Sequence, residues 1–205
     1  MEYSGFFDGA NQYGQDDFNR YYANMFENGV SIENGSMTLG VSAEMDNINI
    51  APGFAIVKGF YFYNDSEKAI EVSRDLNYDR IDRIVIRLNL SDKKVSIEQK
   101  LGVAGSNPQV PALQRDNIIY ELSLAQIRVP VAGNLIVTDE RYKTELCGAI
   151  RPKNLTEFND MIAGFQEEFD RWYENQQALG WRNIFIQEIE PTEAVTGSIW
   201  IQELV

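Results

Sequence analysis

Asp79-Arg80 and Asp82-Arg83 follow one another closely in the sequence, and just before them Asp75, Asn77 and Asp79 alternate as in the first half of a calcium loop. Residues of these types could do three kinds of chemistry. Oxygen ligands at every second position begin an EF-hand, and neighbouring carboxylates can divide acid and base roles in glycoside hydrolysis. Arginine beside aspartate can instead make a bidentate pair that only fastens a loop. The calcium reading fails at two positions. Arg80 stands where the sharp turn needs glycine, and Ile86 stands where a bidentate glutamate belongs. Paired-carboxylate catalysis has no specific support, because 31 acidic residues in a chain of 205 produce accidental pairs and none stands out.

Composition removes most other chemistry. The chain has no histidine and one cysteine, Cys147. Ser-His-Asp and Cys-His catalysis are therefore excluded, as are imidazole zinc sites, multi-cysteine metal sites and an internal disulfide. Neither GxxxxGK[ST] nor GxGxxG occurs, so nucleotide binding has no motif behind it. A net charge of −13 argues against nucleic acid and against anionic polymers. No apolar run approaches the roughly 20 residues of a membrane span. Met1-Glu2-Tyr3-Ser4 lacks the basic start of a signal peptide, so synthesis in a cytoplasm is expected. The expectation is a protein without enzymatic activity, metal or cofactor.

The elements that position these residues are mainly strands. Phe18, Tyr21, Tyr22, Met25 and Phe26 form one face of an N-terminal helix, capped by Asp16 or Asp17 and stopped by Gly29; docking on a sheet is expected of it. Short β runs follow at 36–41, 47–50, 55–62, 68–72, 83–90, 95–99, 118–127 and 135–137. They are separated by turn signals such as Asn34-Gly35, Pro52-Gly53 and Asn64-Asp65. Ile84, Ile86, Leu88 and Leu90 alternate with Val85, Arg87 and Asn89, and Ser91-Asp92-Lys93 turns this strand into a hairpin. The start of 122–130 reads as strand or as short helix. The pattern predicts an α+β fold, mainly β: an antiparallel sandwich or barrel-like domain over 1–150 with an N-terminal helix.

A long helix is expected over 151–182, because Phe158, Ile162, Phe165, Phe169 and Trp172 belong to a run spaced 3, 4, 3, 4. A strict period of 3.5 favours packing along another helix, in a partner chain or in the same domain. A terminal β-hairpin is expected over 183–205, from strands at 183–189 and 198–204.

Six stretches occur in an order that resembles a known family: SGFF (4–7), DDFNRYY (16–22), APGFAIVKGFYFYND (51–65), DRIDRIVIRLNL (79–90), PALQRDNIIYELSLAQIRVP (111–130) and TDER with CGAI (138–141 and 147–150). Together they resemble the N-terminal attachment region of baseplate and tail-fibre proteins of tailed phages of Gram-positive bacteria, and their prophage relatives. The resemblance implies a virion structural protein of the tail. Such a protein would be an oligomeric and often trimeric adaptor at the tail tip, made in the host cytoplasm and bound to other tail or baseplate proteins. Longer members carry a receptor-binding region after this point, so the alternative is a receptor-binding module for host cell-wall saccharide. In either case Asp79, Arg80, Asp82 and Arg83, with Asp139 and Arg141, are expected to be structural charge pairs. Phe158, Ile162, Phe165, Phe169 and Trp172 are expected to form the oligomer interface.

Overall fold

Alternation in the stretch around Ile84 governs the first part of the chain, and the computed structural model shows how; it describes residues 13–153, 156–178, 184–192 and 197–202. The chain divides into two compact units, the first ending at Lys153 and the second beginning at Asn154. In the first, helix α1 (Gln15–Met25) is followed by β1 (Gly29–Val30), β2 (Ile32–Glu33), β3 (Ser36–Met37) and β4 (Val41–Glu44). Next come β5 (Asn47–Ile50), β6 (Gly53–Val57), β7 (Phe60–Asn64) and β8 (Lys68–Glu71). The longest strands close it: β9 (Arg80–Asn89), β10 (Lys94–Lys100) and β11 (Ile119–Val129), then β12 (Ile136–Asp139).

These strands pair antiparallel in small sheets: β1-β6-β7, β4-β5-β8, β2-β3, and the principal sheet β10-β9-β11-β12. The described structure is mostly β with two helices, and no sheet in it closes into a barrel. One apolar core joins the sheets. Ile84, Ile86 and Leu88 of β9 meet Leu122 and Ile127 of β11, and Ile48, Ile50, Ala55 and Val57 complete the cluster.

β11 shows why local sequence dictates local shape. Its residues Glu121 to Val129 read ELSLAQIRV, and the alternation slips one step at Leu124-Ala125. The register shifts at the same place, with Ser123 opposite Val85 but Ala125 opposite Ile84. This β-bulge absorbs the slip, so Leu122, Leu124, Ala125, Ile127 and Val129 are all buried. The stretch beginning at Leu122 is strand, not helix.

Several expectations need correction. The run 55–62 is not one strand but the β6–β7 hairpin, turned at Lys58 (φ 53°) and Gly59 (φ 83°). Positive φ at both positions gives the twist a two-residue hairpin needs, although lysine is not a usual signal for it. The run 36–41 breaks at Leu39, which also has positive φ, and β4 went unread. Helix α1 buries no residue fully; Phe18, Tyr21, Tyr22 and Met25 stay 42–46% exposed. It touches the domain closely at Gly59, where an added Cβ would lie 2.4 Å from the Asn19 carbonyl oxygen.

In the second unit α2 runs Thr156–Ala178, followed by β13 (Ile184–Gln187) and β14 (Ile199–Gln202). The helix is shorter than the expected 151–182. Residues 151–153 are held by the first unit, where Pro152 bridges Phe26 and the Arg151 carbonyl accepts from the Glu27 amide at 2.8 Å. β13 and β14 pair parallel, so the terminal segment is not the expected hairpin. No described helix is long and apolar enough to cross a membrane.

The Gly59 contact makes a test. Gly59→Ala adds a clash with the α1 backbone to the strain of a positive φ, whereas Gly35 (φ 78°) has open space around it. Gly35→Ala is expected to cost about 1–2 kcal/mol, the left-handed penalty alone. Gly59→Ala should lower the urea midpoint further and loosen α1, measured by amide exchange at 15–25. Equal losses in the two variants would contradict this placement of the helix.

Candidate functional site

β9 presents two different faces. Ile84, Ile86 and Leu88 enter the apolar core, while Arg83, Val85 and Arg87 point the other way and are met by polar residues of β10 and β11. Arg87 sits directly across from Glu121 in the ladder. It donates to Glu121 Oε1 from Nε at 2.9 Å and again from Nη2, and its Nη1 lies 3.0 Å from Glu98 Oε2. Glu121 is fully buried, and its Oε2 also accepts from Lys100 Nζ at 2.8 Å and from the Gln114 amide at 2.6 Å.

A second buried carboxylate, Glu140, follows β12 and reaches the same face. It accepts from Ser123 Oγ at 2.7 Å and from Gln126 Nε2, with Lys143 Nζ at 3.3 Å. Arg83 Nε lies 3.2 Å from Glu140 Oε2, close enough to pair charges but not aligned as a hydrogen bond. Arg83 donates instead through Nη1 to the Pro111 carbonyl at 2.7 Å.

Apart from Arg83, which pairs with Glu140, the residues singled out in the sequence fall into separate places. Arg80 Nε donates to both oxygens of buried Asp82, at 2.9 and 3.1 Å, and its Nη2 donates to the Ser73 carbonyl. Asp82 also accepts from Gln99 Nε2 at 2.8 Å and from the Gly102 amide at 2.9 Å. Arg141 forks onto Asp139 from Nε and Nη2, and its Nη1 reaches across the chain to the Met37 and Thr38 carbonyls, the latter at 2.8 Å. Asp79 stands apart near the surface, accepting from Arg128 Nη2 and the Val131 amide, both at 3.0 Å. Asp75 accepts from the Asn77 and Tyr78 amides, a local turn that turns its carboxylate to backbone. Asp75 and Asp79 of the calcium-like stretch thus hold different partners, and among the described residues no three acidic or thiol groups gather as metal ligands.

Protonation follows from these contacts. Burial alone would push Glu121 up, but the Gln114 amide, Lys100 and Arg87 outweigh it and hold the carboxyl below its ordinary range. In Glu140 burial is likewise outweighed, by Ser123, Gln126, Arg83 and Lys143. In Asp139 burial yields to the Arg141 side chain and amide. Burial pushes the Cys147 thiol up to about 12, which leaves it an inert core group. A general acid at neutral pH needs a raised pKa. These three carboxyls are shifted the other way.

Glu121, Glu140, Arg87 and Lys100 were missed in the sequence. A signal existed: Glu121 and Ser123 occupy alternate positions in an otherwise apolar run, where a polar residue facing a sheet must find a partner.

In the second unit the heptad residues of α2 lie on the surface. Ile162 is 47% exposed, Phe165 60%, Phe169 59% and Trp172 55%. Phe169 packs beside Trp172 at 5.7 Å and parallel to Tyr173 at 6.2 Å. The side chain of Phe158 lies outside the described residues. Ile184 and Ile186 of β13 sit opposite Ile199 and Ile201 of β14, giving the ribbon an exposed face of four isoleucines.

No family model and no curated protein matches the chain. Among solved structures it is similar to the crystal structure of the gene 22 product of the Bacillus subtilis SPP1 phage. The identity is 14%, the match covers 55% of this chain and 81% of that one, and the TM-score is 0.37. A similarity that slight decides neither fold nor function.

The carboxylates make a pH-dependent prediction. Glu121, Glu140 and Asp139 have folded pKa values below their unfolded ones, so their stabilisation is present above the unfolded values, about 3.9–4.3, and is lost as pH falls through the folded values. Glu121→Gln should cost about 3 kcal/mol at pH 7 by urea unfolding, because Lys100 loses its counter-charge and Arg87 keeps only Glu98. The variant should also lose less stability than the parent between pH 5 and pH 3. An unchanged acid dependence would contradict the assignment.

Proposed function

We propose that the chain is a structural component of a phage tail, an oligomeric adaptor at the tail tip rather than an enzyme. The observation that carries this reading is the aromatic seam of α2: Ile162, Phe165, Phe169 and Trp172 keep a 3.5-residue period and remain exposed in the single chain. A seam with that period is complementary to other helices, and three copies around an axis would bury it. Phe158 falls in the same register and belongs to the same interface.

Two further observations support the reading. Glu121 and Glu140 are held ionised by donors of their own domain, which suits fastening and not proton transfer. The six stretches that resemble phage attachment regions include the residues of these fastenings: Arg80, Asp82 and Arg83 lie in one, Glu121 in another, and Asp139 to Arg141 in a third. Partners are then other tail or baseplate proteins, and residence is in the virion.

Light scattering tests the assembly. The parent is expected at about three times the chain mass of 23.4 kDa. Phe165→Asp, which places a carboxylate in the seam at a cost of several kcal/mol, should reduce it to monomer. A parent that is monomeric at micromolar concentration would sink the trimer. Saturable micromolar binding to purified wall saccharide would favour a receptor-binding module instead.

A further inference from the structure

In the first unit a cavity of about 670 Å³ opens between α1, the β6–β7 hairpin and the turn from β9 to β10. That volume falls within the roughly 300–1,000 Å³ of ligand pockets. Phe18 and Tyr22 line it from α1, Phe54 and Tyr61 from the hairpin, and Leu90 from the turn. The Phe54 and Tyr61 rings lie parallel, 6.3 Å apart and 9° from coplanar, and Tyr61 is 73% exposed. Midway along the helix, Gly59 lets the hairpin turn approach the Asn19 carbonyl closely. Open aromatic walls on regular elements offer well-formed pockets to apolar anchor side chains.

Charge selects the occupant. Lys93 and Lys94 stand at the cavity, and no aspartate or glutamate lines it among the described residues. This is notable in a chain with 31 acidic residues against 18 basic ones. Neither lysine makes an ion pair among the described residues. We propose that this groove binds an acidic peptide segment of a partner protein, seating neighbouring apolar side chains between α1 and the hairpin and its carboxylates on Lys93 and Lys94. The site is independent of the α2 seam, so failure of either proposal leaves the other standing.

The probes are two labelled tetrapeptides, DFFD and KFFK, titrated by fluorescence anisotropy against the full chain. DFFD is expected to bind at least tenfold more tightly than KFFK, and raising the salt concentration should shrink the difference. In Lys93→Glu/Lys94→Glu, changed only at an exposed turn residue and the exposed first residue of β10, the preference should vanish or reverse while the melting temperature holds. Absent binding of DFFD, or equal binding of the two peptides, would overturn the proposal. So would a fall in oligomeric mass in the double variant, which would make the groove a contact between copies. The salt series on the parent alone decides the question if the double variant does not fold.

Discussion

Glu121 and Arg87, paired across the ladder between β9 and β11, set the problem that the rest of the first unit solves. Removing an ionised carboxylate from water costs several kcal/mol, and a single ion pair seldom offsets it. Glu121 is buried with three separate donors: a guanidinium, an ammonium and a backbone amide. The amide is the informative partner. Gln114 belongs to the segment 101–118 between β10 and β11, which forms no strand and pairs by backbone only in places, as at the Arg115–Tyr120 bridge. Side chains of the principal sheet supply further partners for its backbone groups. Asp82 holds the Gly102 amide from one face, while Glu121 and Arg83 hold the Gln114 amide and the Pro111 carbonyl from the other. Gly102 fits this path because any Cβ would lie 2.0 Å from the Ile81 carbonyl oxygen.

This arrangement shows how carboxylates can be buried in the first unit. Glu121 and Glu140 are surrounded by donors from their own domain, and those donors lower the two pKa values more than burial raises them. Apolar side chains are also exposed among the described residues, on the aromatic seam of α2, on the isoleucine face of the β13–β14 ribbon and at Tyr61 of the hairpin beside α1. A two-stranded ribbon with four exposed isoleucines is marginal alone, which again directs attention to association.

Much of the sheet was legible in the sequence, and the reasons are local. Ile84, Ile86 and Leu88 alternate without interruption, and Asn34-Gly35 carries the usual chemistry of a two-residue turn. The sequence marks Asp79, Arg80, Asp82, Arg83, Asp139 and Arg141 as a set but not their partners: Arg80 takes Asp82 and Arg141 takes Asp139, each two residues away, while Asp79 and Arg83 turn to Arg128 and Glu140. Glu121 lies 34 residues from Arg87, and no local pattern links them until the strands pair. The Lys58-Gly59 turn was hidden by a lysine with positive φ, tolerated where Asn28 Oδ1 accepts from the Lys58 amide. The parallel pairing of β13 and β14 was equally hidden, because alternation fixes a strand's faces and not its direction.

Amide hydrogen exchange followed residue by residue tests the central claim that buried carboxylates fasten the segment between β10 and β11. Gly102 and Gln114 lie in an irregular segment, where exchange is ordinarily fast. If Asp82 and Glu121 clamp them, both amides should exchange as slowly as those of β9 and β11, while unclamped neighbours such as Asn107 exchange freely. Rapid exchange at Gly102 and Gln114 in the folded protein would contradict the account.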